Sequence, residues 1–269
     1  LVNGSPHKEG CTFTALKEVE KELNAAGVET EIFWLGVKPI SGCLGCAKCI
    51  KRGPEGQPAS LRCCIDDVVN EFLDKAEKMD GFVFGSPVHY AALSGALTSF
   101  MDRAFYGKGK VYRYKPAAGI VSARRGGTTA AFDQVNKYFT ISSMPVVSSK
   151  YWNMVHGNTP EQVLQDEEGM QVMRELGRNM AWLLKCIEAG RAAGIPDPVK
   201  EKPIMTNFIK NQVRGKRVSG RRIGEGSRWR IKMSMNVNMP TRPKSMFNEM
   251  MSFEKSDTCE SAPSSNPAV

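Results

Sequence analysis

Along most of the chain, short and wholly apolar runs alternate with longer stretches in which apolar residues recur every three or four positions. Leu1-Val2, Gly81 to Gly85, Ala117 to Ser122 and Pro145-Val146-Val147-Ser148 read as strands. The runs at 81 and 117 are apolar on both faces, as strands of a buried parallel sheet are. Val28 to Trp34 alternates polar with apolar residues and reads as an edge strand with one wetter face. Helical stripes lie between them: Leu16, Val19, Leu23 and Ala26, closed by Gly27; then Val68, Val69, Phe72, Leu73, Ala76 and Met79. Ala96, Leu97, Phe100, Met101 and Phe105 make a third, Thr128 to Phe139 a fourth, and Met173, Leu176, Met180, Leu183 and Ile187 a long last one. Strands and helices in strict alternation predict an α/β fold: a doubly wound, five-stranded parallel sheet with helices on both faces and strand order 2-1-3-4-5.

The alternation stops near Lys210, so residues 1–210 are expected to form one domain and residues 211–269 a basic, disordered tail. The chain has no initiator Met and starts almost inside its first strand, which reads as truncated. Of the net charge of +9, residues 211–269 carry 11 Lys and Arg against 5 Asp and Glu. The domain is therefore nearly neutral, which argues against a nucleic-acid-binding core. Arg214-Gly215-Lys216-Arg217 and Arg221-Arg222 could touch RNA or acidic lipid, or belong to an appendage with no selected function. No apolar run reaches membrane-spanning length and no leader is recognisable, so a cytoplasmic protein away from membranes is expected.

Three loops follow predicted strands, where open α/β sheets bind ligands. The first, Gly4-Ser5-Pro6-His7-Lys8-Glu9-Gly10-Cys11-Thr12, puts the hydroxyls of Ser5, Thr12 and Thr14 at a helix start, which suits an anion such as a phosphate. A plain helix cap in a tight turn explains it equally. It matches neither GxGxxG nor GxxxxGK[ST]. The second, Pro87-Val88-His89-Tyr90-Ala91-Ala92-Leu93-Ser94-Gly95, can lay backbone amides along a flat heteroaromatic ring, or merely cap the core with its aromatics. The third, Ser122 to Thr128, exposes N–H groups at Gly126 and Gly127 beside Arg124 and Arg125; these suit negative charge on a ring or a nicotinamide phosphate, or make a solvated turn.

These motifs, with Phe100-Met101-Asp102-Arg103 and Arg124-Arg125-Gly126-Gly127, resemble the NADPH-dependent FMN reductase family of the flavodoxin-like superfamily, which includes the iron–sulfur flavoproteins. The resemblance runs from Leu1 to about Lys210, ending at Thr206-Asn207-Phe208-Ile209. It implies that Ser5, His7, Cys11 and Thr12, with Phe13 and Thr14, hold the FMN phosphate. Pro87, Val88, His89, Tyr90 and Ala91 would hold the isoalloxazine, and Gly126 and Gly127, with Arg124, would approach its pyrimidine edge. Many relatives carry Arg and Asn where this chain has His7 and Cys11, which leaves backbone contacts at those two positions. The resemblance also implies a homodimer or tetramer, with Tyr151-Trp152-Asn153 and His156 lining the interface.

Five of the eight cysteines lie between 43 and 64. Cys43, Cys46 and Cys49 share one loop, and Cys63 and Cys64 follow after the insert Arg52 to Ser60. Three thiolates at this spacing plus a distant fourth suit a [4Fe–4S] cluster; structural zinc and free thiols are the alternatives. In iron–sulfur flavoproteins the fourth cysteine follows sooner, and the choice between Cys63 and Cys64 stays open. Cys11, Cys186 and Cys259 are isolated. The expected activity is transfer of electrons from NAD(P)H through FMN to a second acceptor, a quinone, a flavin or another small molecule. The alternative is an iron–sulfur electron carrier between FMN and ferredoxin-like partners.

Overall fold

The computed structural model describes residues 1–50, 62–199, 201 and 204, and the chain divides after Lys202. The tail, the Thr206–Ile209 end of the resemblance and the insert Arg52 to Ser60 lie outside the described residues. The elements run β1 (Val2–Asn3), α1 (Cys11–Ala25), β2 (Phe33–Trp34), α2 (Val68–Ala76), β3 (Phe82–His89) and β4 (Ala92–Leu93). They continue with α3 (Gly95–Tyr112), β5 (Ala117–Ala123), α4 (Thr128–Ile141), β6 (Met154–His156), α5 (Pro160–Gln165) and α6 (Glu167–Ala192). The sheet order is β2-β1-β3-β5-β6, all parallel, with β4 antiparallel on β3. Counting parallel strands alone, this is the expected 2-1-3-4-5.

Alternation along the two central strands builds two cores, because successive side chains leave a strand on opposite faces. Phe82, Phe84, Ala117 and Val121 point into an aromatic core with Phe72 of α2, Phe100 and Phe105 of α3, and Phe139 of α4. Val83, Ala118 and Ile120 point the other way, into an aliphatic core with Leu16 and Val19 of α1 and Met173 and Leu176 of α6. Each fully buried Phe or Leu contributes roughly 1.5–3 kcal/mol, so the sheet is held from both sides and its carboxyl edge is a rigid platform.

Three expectations need correction. The last strand is Met154–His156; Pro145 to Ser148 meets the sheet through a single bridge, Ala117 to Val146. Asn153 explains the interruption: its side chain donates to Gly119 O (3.1 Å), and its own carbonyl accepts from Val121 N (3.0 Å), so it stands in the ladder where a strand residue would. It is therefore buried rather than on an exposed face with Tyr151 and Trp152. Second, the edge strand shrinks to Phe33–Trp34. Third, β3 runs on through Pro87 to His89, beyond the Gly85 at which a stop is expected. Pro87 is tolerated because it lies beyond the last residue of β3 that pairs with β1, Gly85 opposite Asn3, so no β1 strand residue stands opposite it.

Candidate functional site: a cofactor cleft and a cysteine loop

Capping separates the helices of the described residues into two kinds. Asp67, Ser94, Thr159 and Asp166 each cap their own helix with a side chain, accepting from Val69, Leu97, Gln162 and Gly169 N respectively. The other two, α1 and α4, begin at Gly10 and Gly127 with no side-chain cap and no acidic residue in the first turn. Both start just outside the carboxyl ends of β1 and β5. Uncapped N–H groups and the positive end of the helix dipole make these two termini suited to an anion or an electron-rich ring edge.

The first loop is held from beneath by residues that sequence reasoning missed. Asn3, fully buried, accepts from Ser5 N (3.0 Å) and donates to Lys8 O (2.9 Å). Gly4 N bonds Gly85 O (2.9 Å), Ser94 donates to Gly4 O (2.8 Å), and Trp34 Nε1 donates to Ser5 O (2.8 Å). A side chain at Gly4 would meet Leu97 Cβ at 2.8 Å and Gly85 O at 2.9 Å, so the loop lies flat on α3 and β3 because this residue has no Cβ. Ser5 Oγ accepts from His7 N (3.1 Å), and His7 is exposed.

The other predicted phosphate ligands face elsewhere. Thr12 is buried and its hydroxyl pairs with Ser122 Oγ (2.8 Å), pinning α1 to β5. Thr14 bonds back to Gly10 O (3.2 Å), and Cys11 Sγ lies 3.7 Å from Gly157 O, where burial raises its pKa. Phe13 is half-buried. What this turn offers an anion is therefore backbone: the first N–H groups of α1, with the Ser5 hydroxyl beside them.

The second and third loops form one unit. β3 and β4 make a hairpin, pairing Val88 with Leu93 and His89 with Ala92. Its two turn residues, Tyr90 (φ 49°) and Ala91 (φ 59°), are both left-handed, a conformation that costs non-glycine residues about 1–2 kcal/mol each. Tyr90 stands fully exposed at the tip. Gln134 of α4 accepts from Leu93 N (3.0 Å), and Gly127 (φ 92°) packs so closely that an added Cβ would lie 2.8 Å from Ala91 Cα. Arg124, Arg125 and Gly126 are exposed beside it. Such strain persists only where the surrounding packing holds it.

A cavity of about 630 Å³ lies at the other end of the strands, lined by Leu1, Val28, Phe82, Met180 and Leu184 among others. None of the residues of the three loops lines it, whereas ligands of open α/β sheets bind at the carboxyl edge, where these loops lie.

The profile of NADPH-dependent FMN reductases matches residues 1–159. The chain belongs to the NADPH-dependent FMN reductase family. An iron–sulfur flavoprotein of Methanocaldococcus jannaschii is 31% identical over 198 residues, covering 70% of this chain and 97% of that one. An iron–sulfur flavoprotein of Archaeoglobus fulgidus is 27% identical over 205 residues, with the same coverage of 70% and 97%. Among solved structures, RosB with bound 8-demethyl-8-formylriboflavin-5′-phosphate superposes with TM-score 0.53 at 14% identity, covering 85% of this chain and 98% of RosB. That likeness supports the flavodoxin-like fold. The chain is thus a flavodoxin-like member of this FMN reductase family, an FMN-dependent oxidoreductase.

In this family member the five clustered cysteines surround one small cavity, with Arg103 and Tyr106 of α3 on its wall. Gly45 (φ 61°) and Ala47 (φ 58°) turn the loop back on itself. Cys46 accepts from Lys48 N–H and meets Cys64 Sγ at 3.4 Å; the N–H and the neighbouring thiol draw the pKa of Cys46 down, while that contact pushes Cys64 up. Cys49 is pushed up, first by burial and then by the thiols of Cys63, Cys43 and Cys46. Among the described residues no three such side chains converge tightly enough for a single metal ion. Five thiols around one cavity are the donor set that a [4Fe–4S] cluster would need.

Among the described residues no helix is long and apolar enough to cross a membrane.

Proposed function

We propose that this chain oxidises NAD(P)H and passes the electrons through FMN to a second acceptor, a quinone, a flavin or another small molecule. The observation that carries the reading is the pair of uncapped helix starts, at Gly10 and Gly127, flanking the strained Tyr90–Ala91 turn. Bound FMN would supply the exchange of a hydride for single electrons, chemistry no amino-acid side chain performs. The protein's part is placement. The α1 terminus and Ser5 would receive the phosphate, the hairpin from Pro87 to Ala91 would meet the ring, and the N–H groups at Gly126 and Gly127 would face its pyrimidine edge. Arg124 and Arg125 add positive charge where a nicotinamide phosphate would approach. No side chain in the cleft is assigned a proton.

A second reading, an electron carrier with a [4Fe–4S] cluster serving ferredoxin-like partners, is favoured by the five thiols gathered on one wall of α3 and by the names of the relatives. Cys43, Cys46 and Cys49 with one of Cys63 and Cys64 would hold the cluster, which stores single electrons. The deciding experiment is an anaerobic absorption spectrum of purified chain supplied with FMN, ferrous iron and sulfide, with metal assays and NAD(P)H oxidation on the same sample. Flavin bands and NAD(P)H oxidation without iron support the reductase alone. Flavin bands with stoichiometric iron and sulfide support the carrier. Protein that neither binds FMN nor oxidises NAD(P)H refutes both. A second copy is proposed to pack on the exposed Tyr151–Trp152 pair, whose rings lie 5.0 Å apart; monomeric elution at micromolar concentration refutes this.

A further inference from the structure

One buried side chain ties together the described segments on either side of the clustered cysteines. Arg103 projects from the middle of α3 and is 2% exposed. Its guanidinium has five N–H donors, and each finds an acceptor. Nε donates to Cys63 Sγ (3.3 Å). One terminal nitrogen donates to Ser41 O (3.3 Å) and Asp67 Oδ2 (2.6 Å), the other to Ile65 O (2.9 Å) and Asp67 Oδ1 (2.8 Å). Ser41 precedes the first clustered cysteine and Asp67 follows the last, so this single group closes both ends of the loop onto a rigid helix.

The two candidates for a fourth ligand differ sharply around this group. Cys63 is gripped on three sides. Its N–H donates to Asn70 Oδ1 (2.9 Å), its carbonyl accepts from Asn70 Nδ2 (3.1 Å), and its sulfur takes the Arg103 hydrogen bond. Cys64 is exposed, and its sulfur contact is with Cys46 at 3.4 Å. A ligand to a cluster gives up conformational freedom when it binds; Cys63 has already lost it, and its sulfur already lies against the Arg103 guanidinium.

We propose that Arg103 is the positioning residue of the cysteine loop, and that its hydrogen bond to Cys63 Sγ makes Cys63, not Cys64, the fourth thiolate of the cluster. The proposal rests on the cluster reading above. Hydrogen bonds to ligating sulfur withdraw electron density from the thiolate and raise a cluster's reduction potential, and groups that orient a ligand typically change metal affinity about 10–100-fold. Arg103 therefore does two things: it presents the sulfur, and it makes the bound cluster easier to reduce.

The test uses the full chain, reconstituted anaerobically with ferrous iron and sulfide, as wild type, Cys63→Ala, Cys64→Ala and Arg103→Lys. Lys keeps the charge but cannot reproduce the fork. The readouts are iron and sulfide per chain, the rate of iron loss to a chelator, and the midpoint potential. Cys64→Ala is expected to load like wild type and Cys63→Ala to lose most of its iron. Arg103→Lys is expected to release iron about 10–100-fold faster, with a lower potential. A merely structural role for Arg103 would leave the potential of the loaded fraction unmoved, and that result overturns the proposal. A loaded Cys63→Ala with an empty Cys64→Ala overturns it as well, with the cluster reading intact. Wild type that takes up neither iron nor sulfide overturns the cluster reading and this proposal with it. If Arg103→Lys does not fold, as far-UV circular dichroism would show, the Cys63 and Cys64 pair still decides.

Discussion

Replacing Gly127 by Ala tests whether the second and third loops act as one binding unit. Gly127 sits at φ 92°, and its added Cβ would lie 2.8 Å from Ala91 Cα and 3.0 Å from Val88 Cγ1. Leaving glycine at a left-handed position costs about 1–2 kcal/mol. The contact adds an overpacking cost of about 1–3 kcal/mol, because Ala91 Cα is backbone and cannot swing aside. A loss near 3 kcal/mol would lower the Tm of a domain this size by roughly 6–12 °C. The alternative to bearing that cost is for the Tyr90–Ala91 turn to move away from the cleft. FMN affinity should then fall about tenfold or more, which corresponds to about 1.4 kcal/mol. The adjacent control is Gly126→Ala: a Cβ there meets nothing within 4 Å, and its φ is not positive. That variant should stay within about 0.5 kcal/mol of wild type. Thermal melts without FMN and fluorescence titration with FMN measure both effects. Equal behaviour of the two variants would refute the close packing; a destabilised Gly127→Ala that binds FMN normally would refute the role of the turn in binding.

Three further outcomes are expected. The Tyr112 hydroxyl is buried with no hydrogen-bond partner, so Tyr112→Phe should leave stability unchanged or raise it by about 1 kcal/mol in urea unfolding at pH 7. Burial raises the pKa of both Tyr112 and Tyr138 in the folded state; the fold binds protons more tightly, and stability is full below pH 10 and lost as pH rises above it. Tyr112→Phe should make that alkaline loss shallower, and an unchanged slope between pH 9 and 11 would count against the assignment. Thr12→Val and Ser122→Ala should each cost about 1 kcal/mol and their double mutant less than the sum, since they break one buried hydrogen bond; strict additivity would show that the pair does not interact. Asp67→Ala removes both the cap of α2 and the carboxylate partner of a buried guanidinium, and should cost about 3–5 kcal/mol in urea unfolding; a loss under 1 kcal/mol would refute the weight given to the Asp67–Arg103 pair.

The order of elements was legible because strands and helices have different apolar periods, and in a doubly wound sheet each element buries its own stripe. The positions of the three loops were legible for a related reason: Gly and Pro mark where Leu1-Val2, Phe82 to Phe84 and Ala117 to Ser122 give way to a helix. Boundaries were less so. Whether β3 stops at Gly85 or runs to His89 depends on Ser122 arriving beside Pro87 from 35 residues on, and on the tight Tyr90–Ala91 turn that brings Leu93 back to Val88. The interruption before β6 was hidden similarly, in a hydrogen bond from Asn153 to Gly119.

At the cleft, residue types pointed to an anion and a ring, but the roles of individual side chains were not readable. Thr12 looks like a phosphate ligand until Ser122, 110 residues away, takes its hydroxyl. Asn3 looks like the end of a strand until Ser5 and Lys8 fold back over it. The cysteine spacing announced a cluster of thiols, yet Cys63 and Cys64 are indistinguishable as neighbours in a chain. Arg103 separates them, from a helix 40 residues on. Local pattern determines periodicity, turns and the chemistry a segment can offer, because those depend on residues a few positions apart. Which hydroxyl, thiol or carbonyl stays available depends on long-range partners that close only when the sheet assembles, and there packing decides.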